Sequence, residues 1–145
     1  MAKKIMIGIV VSRFNGSITS KMEAAARKEA KKLGAVVAEI AYSPGALDSP
    51  FVALQMLKRG KVDCIAVLGA AVKGETGHDA VVVNTAASSL SALSLSFGKP
   101  IGFGVIGPNA TKKQAEARAA EYAKGAVGAA IFLAAGKIST VREHK

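Results

Sequence analysis

The chain reads as an α/β protein, a three-layer α/β/α sandwich in which helices flank a four-stranded parallel sheet. Two observations carry this reading. Four short apolar runs rich in β-branched residues alternate with four longer segments of helical period, the pattern of parallel strands joined by crossover helices. Capping and turn residues then punctuate the junctions between them. With 145 residues, residues 1–145 make one domain, able to bury roughly 70% of the surface its unfolded form exposes.

The expected strands are Lys4–Val11, Val36–Tyr42, Cys64–Leu68 and Ile101–Ile106. The first helix is expected to start near Ser20, because Ser20 and Glu23 have capping-box spacing. Ile18, Met22, Ala26, Ala30 and Leu33 then share one face, and Gly34 ends it. The second takes Ser49 as N-cap and Pro50 at its first helical position, where the missing N–H costs nothing, and it closes at Gly60. A third helix opens at Asp79 and runs through Val82, Ala86, Leu90, Leu93 and Phe97 to Gly98, although Val81-Val82-Val83 is a poor helical stretch. The fourth begins at Thr111, boxed with Gln114, and turns Ala115, Ala119, Tyr122, Ala126, Ala130 and Leu133 inward.

Composition narrows the function classes. Half the residues are hydrophobic and mean hydropathy is +0.31, a surplus that points to subunit contacts. No uninterrupted apolar run approaches the roughly 20 residues of a spanning helix, so no membrane partner is expected. The basic start and the run Ile5 to Val11 lack a following small-residue cleavage site, and Cys64 is the only cysteine; both fit a cytoplasmic protein without disulfides. The net charge of +10 invites a nucleic-acid reading. Its densest cluster, Arg27 to Lys32, however, lies along a polar helix face, and aromatic residues are only 5% of the chain, too few for base stacking. No nucleic-acid partner is expected.

In open parallel sheets ligands bind at the carboxyl edge, so the β→α loops hold the chemistry. The third, Lys73-Gly74-Glu75-Thr76-Gly77-His78, combines two glycines that let backbone approach a ligand, a hydroxyl donor, and the N-terminus of the following helix. An anion such as phosphate suits it. Lys73 precedes the glycines and no Gly-Lys-Ser/Thr follows, so this is no Walker loop, and no dinucleotide fingerprint occurs. His78 fits two roles, a general acid–base beside a phosphate or an exposed helix-start residue. Phe14 can stack on a planar heterocycle or pack in the core, and Asp48 can serve a helix dipole or accept hydrogen bonds from a polyol. Arg118 alone reads as a solvated helix residue. Cys64 lies inside a strand and reads as a small buried hydrophobe, and no histidine–cysteine spacing suits a metal.

Taken in order, these strings resemble the lumazine synthase family, in its archaeal-type form, from Lys4 to about Ala135. The matching segments are Val10 to Asn15 with Ile18-Thr19, Ser43 to Pro50, Val67-Leu68-Gly69 with Val72 to His78, and Lys99 to Val105 with Gly107-Pro108 and Gln114 to Arg118. The resemblance implies a flavodoxin-like sheet of order 2-1-3-4 and a transferase of riboflavin biosynthesis that uses no metal or cofactor. The reaction implied condenses 5-amino-6-ribitylaminouracil with 3,4-dihydroxy-2-butanone 4-phosphate. By the same likeness Phe14 stacks on the pyrimidine, Ala46, Leu47 and Asp48 border the ribityl chain, and Ala70, Ala71 and Val72 line the ring. Gly74, Glu75, Thr76 and Arg118 surround the phosphate, His78 transfers protons, and Asn15 and Lys124 lie at the margin. Phe103 and Arg118 would enter from a neighbouring subunit of a homopentamer, which stands alone, pairs into a decamer or closes into an icosahedral shell.

The chain departs from the family pattern at three positions. Leu47 stands where most members carry an aromatic residue and Asp48 where most carry Glu, which bears on how the ribityl end is held; Glu75 places an acid beside the phosphate. Two other functions remain open on the same scaffold. One is an archaeal-type riboflavin synthase, whose substrates carry no phosphate and would leave the Gly74–His78 loop without a purpose. The other is a non-catalytic carrier or cage for flavin or lumazine.

Overall fold

The computed structural model describes residues 3–136. Strands β1 (Met6–Ser12), β2 (Val36–Ser43), β3 (Cys64–Val72) and β4 (Ile101–Ala110) alternate with helices α1 (Gly16–Lys32), α2 (Ser49–Arg59), α3 (His78–Phe97) and α4 (Lys112–Ala134). The sheet is wholly parallel in the order β2-β1-β3-β4, as expected.

Strand alternation sorts the core into two layers. On one face Ile7, Ile9 and Val11 of β1 and Cys64, Ala66, Leu68 and Ala70 of β3 pack beneath α1 and α4. On the other, Val10, Ile65, Val67 and Val105 pack beneath α2 and α3. Cys64 is fully buried, as its place in an apolar strand implied. α4 lies so close to β4 that a Cβ at Gly102 would overlap the carbonyl oxygen of Ala126.

Several boundaries differ from the sequence expectation, each for a local reason. α1 starts at Gly16 rather than Ser20, because Asn15 adopts a left-handed turn (φ 59°) and its carbonyl accepts from the Ile18 and Thr19 N–H groups. The Ser20–Glu23 box does not form. Ser20 Oγ donates to the Ser17 carbonyl, while Glu23 accepts from the Tyr42 hydroxyl at 2.8 Å and from Arg27 Nε at 3.2 Å. That carboxylate bond holds the Tyr42 phenol protonated and raises its pKa above 10.0. At α2 a 3-10 turn, Ala46–Asp48, comes first. Ser49 is therefore the first helical residue, with Oγ donating to the Ala46 carbonyl at 2.6 Å, and Asp48 holds the cap position.

β3 and β4 run on to Val72 and Ala110, which shortens the loops at the carboxyl edge. α3 opens at His78, one residue earlier than expected, and accommodates its valines by exposing Val81 and burying Val83. The Thr111–Gln114 capping box forms on both sides, at 3.0 and 3.1 Å. Tyr122 and Leu133 are exposed rather than inward, and Ala123, Val127 and Ile131 take the buried stripe instead. Leu33 and Phe97, also expected on inner faces, are exposed at the ends of their helices.

Among the described helices α3 alone is long and apolar enough, by length and composition, to cross a membrane, and only 17% of its most apolar window is buried. Serines 88, 89, 91, 94 and 96 break up its apolar surface. It packs against β4 and α2 while leaving Leu95 82% exposed.

Candidate functional site

The carboxyl ends of β1 and β3 are joined by a side chain. Asn15 Nδ2 donates to the Ala70 carbonyl at 2.7 Å, while backbone bonds from Arg13 to Ser43 (2.8 Å) and Phe14 to Pro44 (3.0 Å) carry the β1–β2 pairing into the loops. Phe14 is thereby fixed in place yet 69% exposed. Core packing does not explain it. Its ring lines a cavity of about 370 Å³ whose other walls come from the turn before α2 and from the end of β3.

Ala46 and Leu47 form the wall on the α2 side; Ala70, Ala71 and Val72 contribute the strand end. The remaining wall is the β3–α3 loop, with Gly74, Thr76 and His78. No side chain caps α3, whose N-cap is Gly77, so the open first-turn amides and the positive dipole end adjoin the cavity. An apolar slot with an exposed aromatic at one end and anion-binding backbone at the other can hold a planar ring and a phosphate together.

Several expected residues fall outside it. Asp48 spends its Oδ2 on the Gly45 N–H at 3.0 Å, closing the 3-10 turn, and does not line the cavity. Glu75 is exposed in the loop, directed by its position between two lining residues but not itself a wall. Asn15 acts from behind, through Ala70. Phe103 lines a separate cavity of about 310 Å³ between α3 and β4, and Arg118 and Lys124 are exposed along α4. Neither cation forms an ion pair among the described residues.

Gly45, Asp79 and Val82 line the cavity and were not anticipated as site residues. Gly45 stood within a motif already singled out. Asp79 and Val82 carried only a helical signal, a first-turn acid and an inner-face valine. No group of three histidine, cysteine or acidic side chains suited to a metal occurs among the described residues.

Fold and cavity together define an open α/β protein that binds its ligand at the carboxyl edge of a parallel sheet, beside a helix N-terminus. Comparison with known proteins narrows the class. A family model for 6,7-dimethyl-8-ribityllumazine synthase matches residues 4–142. Proteins bearing that name are similar along most of the chain: that of Aeropyrum pernix is 48% identical over 132 residues, covering 90% of each chain. That of Metallosphaera sedula is 45% identical, covering 90% of this chain and 86% of its own. In Methanoculleus marisnigri the figures are 42%, 88% and 93%. The chain belongs to the 6,7-dimethyl-8-ribityllumazine synthase family.

Proposed function

We propose that this chain condenses 5-amino-6-ribitylaminouracil with 3,4-dihydroxy-2-butanone 4-phosphate to form 6,7-dimethyl-8-ribityllumazine. The observation that carries the reading is the cavity in which Phe14, Gly74, Thr76 and His78 meet at the N-terminus of α3. Phe14 stacks on the pyrimidine, Ala46 and Leu47 border the ribityl chain, and the Ala70–Val72 strand end lies along the ring. Asp48 keeps its second carboxylate oxygen for a ribityl hydroxyl while Oδ2 accepts from the Gly45 N–H. The phosphate sits against Gly74 and Thr76, within the field of the helix.

The amine of the pyrimidine attacks the ketone carbonyl and water leaves as the imine forms. Inorganic phosphate is then eliminated, the second amine closes the ring, and a further water departs. His78 moves protons at the imine and elimination steps. Holding two substrates in one slot supplies much of the acceleration, because the nucleophile and the leaving group are intrinsically good. Turnover of the two substrates to a fluorescent lumazine tests this directly. Flavin from lumazine alone would favour riboflavin synthase, and binding without turnover would favour a carrier.

The working unit is a homo-oligomer, with pentamers as the basic ring. Support comes from the exposed apolar surface of α3 and from Phe103, Arg118 and Lys124, which line no wall of the Phe14–His78 cavity in their own chain and would have to reach one from a neighbour. A native mass near that of one chain in an active sample would refute it. Cytoplasmic residence belongs to the same proposal, consistent with a free, buried Cys64, and cell fractionation tests it.

A further inference from the structure

The loop from Lys73 to Gly77 contains two glycines and no regular structure, so contacts from outside the loop bear on its conformation. Both of its ends are tied to the last two residues of β4. At the entry, the Lys73 N–H donates to the Ala110 carbonyl at 2.7 Å. Just past the exit, Asp79 Oδ2 accepts from the Asn109 N–H at 2.9 Å. Asn109 presents that N–H from a left-handed conformation, φ 67°, which an asparagine tolerates. Asp79 is only 7% exposed and lies in the cavity wall beside His78.

We propose that Asp79 is a positioning residue, which clasps the phosphate loop to the end of β4 at Asn109 and so fixes Gly74, Thr76 and His78 about the substrate. The functional half of this statement rests on the reaction proposed above. A first-turn acid needs no hydrogen-bond partner outside the helix to complement its dipole. Asp79 is buried and directs one oxygen to a backbone donor at the end of β4. Its negative charge works against a phosphate dianion in the same cavity, so a role in geometry, not charge, accounts for a carboxylate there.

Geometry and charge separate by substitution. Asp79→Asn retains a carbonyl acceptor for the Asn109 N–H and removes the charge; Asp79→Ala removes both; Asp79→Glu keeps the charge and displaces the acceptor by one methylene. In the assembled protein, amide hydrogen exchange across residues 74–77 should quicken in the Ala and Glu variants and stay near wild type in Asn. KM for the butanone phosphate should rise about tenfold in Ala and Glu, with KM for the pyrimidine unchanged, while Asn holds or lowers it. Titration with inorganic phosphate should follow the same order.

Loop exchange unaltered in Asp79→Ala would overturn the clasp, as would an Asn variant that loses phosphate affinity as badly as Ala. If Ala does not assemble, the contrast between Glu and Asn decides the matter alone. The exchange measurement needs no turnover. A wild-type protein inactive on the two substrates but showing the expected exchange pattern would refute the proposed reaction and leave the clasp standing.

Discussion

Asn15 donates from its side chain to the Ala70 carbonyl across 2.7 Å while its own backbone is left-handed. One residue thus starts α1, ties the first catalytic-edge loop to the end of β3, and sets the base from which Phe14 projects. Asn15→Ala loses the bond, leaving a buried carbonyl unpaired at about 1–3 kcal/mol, and adds about 1 kcal/mol for a left-handed alanine. Asn15→Gly loses only the bond. Denaturant unfolding should therefore rank wild type above Gly and Gly above Ala. Two variants as stable as wild type would show that the bond contributes nothing.

Cys64 provides a pH-dependent check on the core. Burial, followed by the nearby Asp63 charge, pushes its thiol from the ordinary 9.0 up to about 12. Because the folded chain holds the proton more tightly than the unfolded chain, this group's contribution is complete below about pH 9 and fades as pH rises toward 12. A thiol reagent at pH 8 should leave the native protein unlabelled and react in guanidinium. Rapid native labelling would mean that the sheet opens at β3.

Much of this architecture was legible because the cues were local. The parallel sheet followed from alternating apolar runs and helical segments, and Thr111 with Gln114 marked the start of α4 without ambiguity. The same cue misled at Ser20 and Glu23, where Glu23 finds Tyr42, nineteen positions away, as a better partner. In α4 the many alanines made several helical faces almost equally apolar. Ala126 packs against Gly102 of β4 as part of a buried stripe that runs through Ala123, Val127 and Ile131, and this leaves Tyr122 and Leu133 outward.

The site divides along the same line. Phe14, the Ala46–Leu47 turn and the Gly74–His78 loop were visible as loop motifs and meet in one cavity. Asp79 was not, since its partner Asn109 lies thirty positions away and the bond is made to a backbone N–H that no sequence pattern marks. Phe103, Arg118 and Lys124 line no wall of that cavity, and the proposed oligomer would place them by which surfaces of two chains meet, which no local pattern marks.

His78 lies in the cavity wall at the first position of α3, exposed. Replacement by Ala removes no core contact, so assembly and melting temperature should be unchanged. Turnover should fall by roughly two to four orders of magnitude, the range of a positioned acid–base, with residual activity from substrate positioning. An unchanged kcat with both substrates saturating would reduce His78 to a residue that begins a helix.

Arg118 gives the sharpest test of the proposed shared site, because it is exposed on α4 and lines no wall of the Phe14–His78 cavity. If a neighbouring subunit's cavity receives its guanidinium at the phosphate, Arg118→Ala should weaken the butanone phosphate and leave the pyrimidine almost untouched, since only the former carries a dianion. A charge-assisted contact of this kind contributes about 1.5–3 kcal/mol, or roughly ten- to a hundredfold in affinity. Arg118→Lys should restore part of the loss, being a point charge in place of a two-pronged donor. Steady-state titration of each substrate against a fixed excess of the other reads the difference. A solvated helix arginine would alter neither KM, whereas equal weakening of both substrates, with a smaller native mass, would place Arg118 in subunit packing and not at the phosphate.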